Sequence, residues 1–306
     1  MRVLLIGNRE TNSDSETYFK SYVEFFNRAT AHNDEPTTTE YTMFHDLYIA
    51  VGDDTFEVYD TRHGRHLSDY QVVFLRGGGY RKCYDVIKAI SVYANLHGIR
   101  AVNDYSAFRE SSKLTQAVQF YTEQMPVAQT VYANEAALSG KHPLAFDFPC
   151  ILKATFGSHG GDNYLVKSLD EAATIAQADD RKTFVLQRYV PNDRDYRILI
   201  IGEEIAVIER TAAGDSHLNN TSQGAQARLV STDSLPAEIV EASRHIAQVL
   251  QLSIAGVDVL ADKTTGNFYF LEVNAQPQLM TGAFLSVKSE MIGRFLQKLA
   301  SDQLAA

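Results

Sequence analysis

Cysteine is scarce in this 306-residue chain: there are two, Cys83 and Cys150, spaced as neither a metal-ligand pair nor a redox motif. Nothing suggests a disulfide framework, and a reducing cytoplasm is the compartment that fits. Lysine- or arginine-rich runs are also missing, and the formal net charge is −10. With no basic track to neutralise phosphates, the balance argues against a general nucleic-acid binder, so an anionic nucleotide needs a local basic pocket. No apolar stretch is long enough for a signal peptide or a membrane span, and Met1 to Gly7 runs straight into a buried-strand pattern. There is no internal repeat and no low-complexity tract. Neither cysteine has a partner for nucleophilic catalysis, and no Ser/His/Asp arrangement stands out.

What is present is an ordinary soluble composition, 45% hydrophobic and 22% charged, with enough length for two or three lobes. The most informative stretch is Gly256 to Leu260 followed by Phe268 to Asn274, two short strands around the turn residues Asp262 to Asn267. Alternation puts Glu272 and Asn274 on one face, with Phe268 and Phe270 further along it. A turn centred near Thr264 predicts Asp258 opposite Phe270 and diagonal to Glu272. Unpaired buried charge is costly, and a hard cation such as Mg²⁺ would remove that cost. A hairpin with its polar face in water is the other reading of these three residues alone.

The chain opens as strand, loop and helix (Val3 to Ile6, then about Ser15 to Arg28), with Asp34 to Thr39 as loop. A hairpin is expected over Leu47 to Tyr59, a buried strand at Val72 to Leu75, a helix from about Cys83 to Leu96 and a strand at Arg100 to Val102. Arg76-Gly77-Gly78-Gly79 leaves the buried strand, and Arg76 could meet a carboxylate or phosphate there. A surface arginine at a strand-to-helix turn is the alternative. These alternating elements suggest a small, mostly parallel α/β sheet in a first lobe, residues 1–102.

Ser112 is read as an N-cap, with Lys113 in the following first turn, where a cation opposes the helix dipole unless an anion lies nearby. A second lysine, Lys153, ends the strand Phe148 to Ala154, and Gly157-Ser158-His159-Gly160-Gly161-Asp162 follows. Such a loop can cradle phosphates, although the lysine precedes the glycines and no P-loop is formed. The unit through Ala178 reads as a β-loop-β-α lid, residues 103–183, and 184–306 as a C-terminal lobe. In the latter, Gln187, Arg188, Tyr189 and Val190 leave a strand at Pro191, and a hairpin over Asp195 to Arg210 carries charges its aliphatic interior does not explain.

Lysine before a helix, lysine before a glycine loop, a Gln-x-Tyr-Val strand, Asp-x-Arg, Glu-Arg, an Asn-containing loop, Ala-Gly-Val-Asp and Leu-Glu-Val-Asn-x-x-Pro occur in that order over about Asn103 to Leu285. This resembles the ATP-grasp superfamily, and within it the RimK-type carboxylate–amine ligases. The resemblance implies an ATP-grasp fold of α+β lobes behind an N-terminal α/β pre-ATP-grasp domain. It implies that Lys113 and Lys153 hold the α- and β-phosphates and that Gly157, Ser158, Gly160 and Gly161 close over the β- and γ-phosphates. The backbone of Gln187 to Val190 would read adenine, and Asp195 the ribose. Asp258, Glu272 and Asn274 would bind one or two Mg²⁺ ions, with Mn²⁺ an allowed substitute. Arg210, with Lys153, would act at the reacting phosphoryl group, Asn219 beside it; Arg76, Arg197 and His217 fall to the substrate.

The implied reaction makes an acyl-phosphate and ADP from a carboxylate and ATP, then an amide from an amine. Its partners are small-molecule or peptide acids and amines, without nucleic acid or membrane; a homo-oligomer stays open. The sequence departs from the pattern at Arg188, where an acidic residue is usual, at His217, where arginine is typical, and at Gln278, where glycine commonly follows the proline. An ATP-grasp kinase, a leader-guided peptide macrocyclase and a non-catalytic ATP-binding partner remain as alternatives.

Overall fold

A computed structural model describes residues 1–8, 15–76, 83–104, 112–156, 162–211 and 226–304. The chain begins with strand β1 (Arg2–Gly7), helix α1 (Ser15–Ala29) and strand β2 (Thr38–Met43). A small antiparallel sheet follows, β3 (Leu47–Val51), β4 (Phe56–Asp60) and β5 (Arg65–His66), then β6 (Val72–Leu75), α2 (Tyr84–Leu96) and β7 (Arg100–Val102). The main sheet of this lobe runs β2-β1-β6-β7 and is parallel throughout. Parallel strands need cover on both faces, and the continuous apolar runs Val3 to Ile6 and Val72 to Leu75 are buried accordingly. The expected hairpin over Leu47 to Tyr59 forms as β3 and β4. Strand β2 begins at Thr38, in a segment whose start reads as loop, because its Thr-rich alternation carries few aliphatics.

Next come α3 (Lys113–Thr122), β8 (Thr130–Tyr132), α4 (Glu135–Leu138), β9 (Cys150–Ala154), β10 (Asn163–Val166), α5 (Leu169–Gln177) and β11 (Phe184–Arg188). The middle sheet has the order β10-β9-β11-β8, with α4 and α5 over Leu152, Ala154, Val166 and Leu186. Strand β11 pairs with both β8 and β9. Helix α3 packs on the third sheet, where Phe120 meets a strand phenylalanine, Phe270, at 5.7 Å between ring centroids.

That third sheet is built from β12 (Arg194–Ile201), β13 (Glu204–Thr211), β14 (Gln226–Val230), β15 (Ile254–Ala261) and β16 (Phe268–Asn274), in the order β14-β13-β12-β15-β16, with α6 (Ala237–Val249) against one face. The last helix, α7 (Leu285–Leu304), packs on α1 of the first lobe. Gly293 permits that crossing, since a Cβ there would sit 2.2 Å from the carbonyl oxygen of Ala29. The stripe Met291, Ile292, Phe295, Leu296 and Leu299 buries against Phe25, Phe26 and Phe74 on one side and Leu199 and Ile201 on the other. The first and third lobes thus share a core. Asn103 adds a polar clamp: its amide bonds the backbone N–H and C=O of Ile254 and the carbonyl of Ala275.

Candidate active site

The two faces of the five-stranded sheet differ in kind. One carries Tyr196, Ile198, Val207, Val257, Val259, Phe270 and Val273, all in the core beneath α6. The other follows from the period of two: Asp195 and Arg197 on β12, Arg210 on β13, Asp258 on β15, Glu272 and Asn274 on β16. The pairing of β15 with β16 is not the expected one. Asp258 lies directly opposite Glu272, and Phe270 faces Val259, because a bulge between Asp258 and Val259 shifts the register. An extra residue reverses the alternation, so Phe270 goes to the core while Glu272 stays on the polar face.

On that face Arg197 grips Asp258 with both prongs, Nε to Oδ1 at 2.7 Å and Nη2 to Oδ2 at 2.6 Å. Arg210, 4% exposed, donates from Nε to Asp195 Oδ1 at 2.6 Å and reaches Asp258 Oδ1 with Nη2 at 3.3 Å. Burial raises the Asp258 carboxyl, but Arg197 and Arg210 outweigh it and hold the group down to about 2. Asp195 has only a share of Arg210, and burial pushes it up to about 7, with the charge of Asp258 adding to the rise.

The lysines approach from the middle sheet. Lys153 and Gln187 share the face of that sheet opposite its core, and Lys153 Nζ donates to Gln187 Oε1 at 2.7 Å. The amide is oriented in turn, since Gln187 Nε2 donates to Thr130 Oγ1 at 3.0 Å and that hydroxyl to the carbonyl of Ala128 at 2.9 Å. Helix α3 begins at Lys113 because Ser112 accepts from the Thr115 N–H, as an N-cap should. The backbone N–H of Lys113 bonds Thr155 O at 2.9 Å, and Gln116 bonds both backbone groups of Val273. These ties set Lys113 and Lys153 within the electrostatic reach of Glu272. Burial pushes Lys153 down to about 8, with Glu272 opposing and Lys113 assisting. Burial also lowers Lys113, against the pull of Glu272 and Asp162.

Residues 120–293, more than half of the chain, match the model of the RimK-like ATP-grasp domain. The chain belongs to the RimK-like ATP-grasp family. It is 28% identical over 225 residues to a probable alpha-L-glutamate ligase of Sodalis glossinidius, covering 71% of this chain and 73% of that protein. It is 22% identical to the alpha-aminoadipate–LysW ligase LysX of Sulfurisphaera tokodaii, over 74% of this chain and 79% of that one. Its fold is that of the ATP-grasp ligase PsnB, solved with a minimal precursor, Mg and ADP: TM-score 0.68 at 15% identity, covering 98% and 96% of the two chains. This RimK-like chain is an ATP-dependent ligase that forms carbon–nitrogen bonds.

In this ATP-grasp ligase the expected residues separate into groups. Lys113, Lys153, Glu272, Asn274, Asp258, Arg197 and Arg210 come together, while Gly157, Ser158, Gly160, Gly161, His217 and Asn219 lie outside the described residues. Arg76 is buried, with Nη2 donating to Tyr22 Oη at 2.6 Å and to Pro277 O at 3.1 Å. Those contacts tie the first lobe to the loop after β16. Asp195 is paired with Arg210. The backbone of Gln187 is held in the ladder and the Arg188 N–H bonds Gln129 O, leaving Tyr189 and Val190 beyond the strand. The Arg188 side chain lies over the ring of Tyr269 at 4.9 Å.

No group of three or more His, Cys, Asp or Glu side chains suited to a metal occurs among the described residues. A cation site here therefore rests on mixed oxygen donors. Glu272 and Asn274 fit one, adjacent on β16 with Asn274 Nδ2 donating to Glu272 Oε1 at 2.9 Å. Asp258 fits less simply, its oxygens being held by Arg197 and Arg210. Two residues escaped sequence reasoning. Gln116 positions Lys113 and carries no local signal, whereas Lys288 lies four residues before Ile292 on an otherwise apolar stripe, a break that could have been read.

Proposed function

We propose that this ligase activates a carboxylate as an acyl-phosphate between the middle sheet and the polar face of the five-stranded sheet, then passes the acyl group to an amine. The meeting of Lys113 and Lys153 with Glu272, beside Arg210 and Arg197, carries this reading. Two half-buried ammonium groups brought together beside Glu272 suit a polyanion, and phosphoryl transfer asks chiefly for such positioning and charge neutralisation. Lys113 and Lys153 hold the phosphates, Gln187 keeping the Lys153 ammonium aimed. The backbone at Tyr189 and Val190 meets adenine. Glu272 and Asn274 hold Mg²⁺, joined by Asp258 once Arg197 turns to another anion. The metal would draw charge from the phosphate oxygens. Arg210, fixed by Asp195, offers its guanidinium to the transferring phosphoryl group.

In the first step a carboxylate oxygen bonds to the γ-phosphorus and the bond to ADP breaks. In the second the amine nitrogen bonds to the acyl carbon, phosphate leaves, and the amine gives up a proton. No helix among the described residues is long and apolar enough to cross a membrane, and we place the reaction in the cytoplasm. The test is ADP release with Mg-ATP and a pool of amino acids, polyamines and peptides, with mass spectrometry of products. An amine-dependent product lighter by one water than acid plus amine is expected. A phosphorylated product, or nucleotide binding without turnover across the pool, would overturn the reading.

A further inference from the structure

Of the cations on the cleft side of the third sheet, Arg197 and Arg210 are matched by Asp258 and Asp195. Lys288, in the first turn of α7, is not. It is 5% exposed, and its Nζ donates to a neutral group, the carbonyl of Thr281, at 2.9 Å. Among the described residues no carboxylate pairs with it. The side chain lines a narrow cleft together with Arg197, Arg210, Pro277, Gln278 and Gly282.

Folding gains nothing from a cation in this place. Burial and the like charge of Arg197 push its ammonium down to about 8, and the positive end of the helix dipole disfavours it further. The same helical stripe continues as Met291 and Ile292, so an apolar side chain would suit the packing better. The cleft is also kept open: Gly282 has φ +77°, and a Cβ there would stand 3.2 Å from Gln278 Oε1 and 3.9 Å from Lys288 Nζ. An amide, an ammonium and a guanidinium around a space that a single methyl would narrow form a receptor for a small anion.

We propose that Lys288 is a specificity-determining residue that binds, with Arg197, a carboxylate of the substrate other than the one that reacts. The assignment rests on the ligase reading of the neighbouring site. Taking Arg197 to that carboxylate releases Asp258, so substrate and metal binding assist each other.

Calorimetric titration of the full chain, saturated with Mg-ADP, tests this with L-glutamate, glutarate and inorganic phosphate as probes. At least one dicarboxylate should bind the wild type, bind Lys288→Met at least tenfold more weakly and bind Lys288→Arg within threefold of wild type. Mg-ADP affinity should be the same in all three, and Lys288→Gln replaces the methionine variant should that one not fold. Equal dicarboxylate binding by wild type and Lys288→Met, or no dicarboxylate binding by nucleotide-bound wild type, overturns the proposal, as does phosphate being the sole Lys288-dependent anion. Failure of Mg-ADP to bind the wild type would instead strike the nucleotide assignment, while Lys288-dependent glutarate binding would still support the anion cleft.

Discussion

Asp60 in the first lobe and Asp258 in the third are both buried aspartates, 0% and 5% exposed, yet their surroundings have little in common. Asp60 accepts from the Thr42 hydroxyl at 2.8 Å, the Tyr70 hydroxyl at 3.1 Å and the Arg62 backbone N–H at 3.1 Å, with His63 Nδ1 at 2.6 Å. Those donors come from β2, the turn after β4 and the segment before β6, so the carboxylate binds its lobe together and has little charge to exchange. Asp258 is held by two guanidiniums, Arg197 from the adjacent β12 and Arg210 from β13, the latter also bonded to Asp195. Asp258 thus shares its place with two arginines, and an arriving anion can take an arginine while an arriving cation takes the carboxylate. A buried acid surrounded by mostly neutral donors is architecture; one balanced by arginines that a ligand could engage is equipment for that ligand.

The contrast can be broken by substitution. Removing the Glu272 carboxylate, opposite Asp258, with Glu272→Ala should cut ADP release at least ~10³-fold, about 4 kcal/mol of barrier, while the melting temperature stays near wild type. Normal ADP production would remove Glu272 from the metal site. Arg197→Met leaves Asp258 one guanidinium, and breaking a buried pair costs about 3–5 kcal/mol. Denaturant unfolding should show a loss of that size, together with turnover reduced beyond the unfolded fraction; a stability loss alone would make Asp258 as architectural as Asp60. Asp60→Asn should do the opposite, costing about 1–3 kcal/mol of stability through an ill-matched buried acceptor, with the ADP rate per folded molecule within twofold of wild type.

The smallest expected effect concerns pH. Lys153 titrates at about 8 in the ligand-free chain, below the ordinary 10.5 of lysine. Its folded pKa is depressed, so between about 8 and 10.5 the unfolded chain holds the proton more firmly, and this group adds stability as pH rises through that window. Nucleotide affinity runs the other way, because the neutral amine attracts phosphate less. Mg-ATP affinity should fall several-fold between pH 7 and 9, and Lys153→Arg should flatten that fall. An unchanged slope in the arginine variant would assign the titration elsewhere.

Much of this was legible in the sequence because it is periodic. The β1-loop-α1 opening, the β3–β4 hairpin, the β-loop-β-α lid and the β15–β16 hairpin all announce themselves by alternation and turn residues. Lys113, Lys153 and Glu272 could be singled out because charge at the edge of an apolar run needs a reason. The bulge at Asp258 was not legible: one extra residue leaves no compositional mark, yet it decides whether Phe270 or Glu272 shares the acid's face. Lys288 escaped for a related reason. Sequence shows a charge but not its neighbours, so the lysine in a helical stripe went unnoticed.

Helix α3 has a foot on each of two sheets. Gln116 bolts it to Val273 of β16, and the Lys113 N–H holds the carbonyl of Thr155 at the exit of β9. It works as a strut of fixed length, so a swing of the middle sheet is felt first at the turn that carries the Lys113 ammonium. On the proposed reading, the placement of the middle sheet and the grip on phosphate would be set together through this one helix.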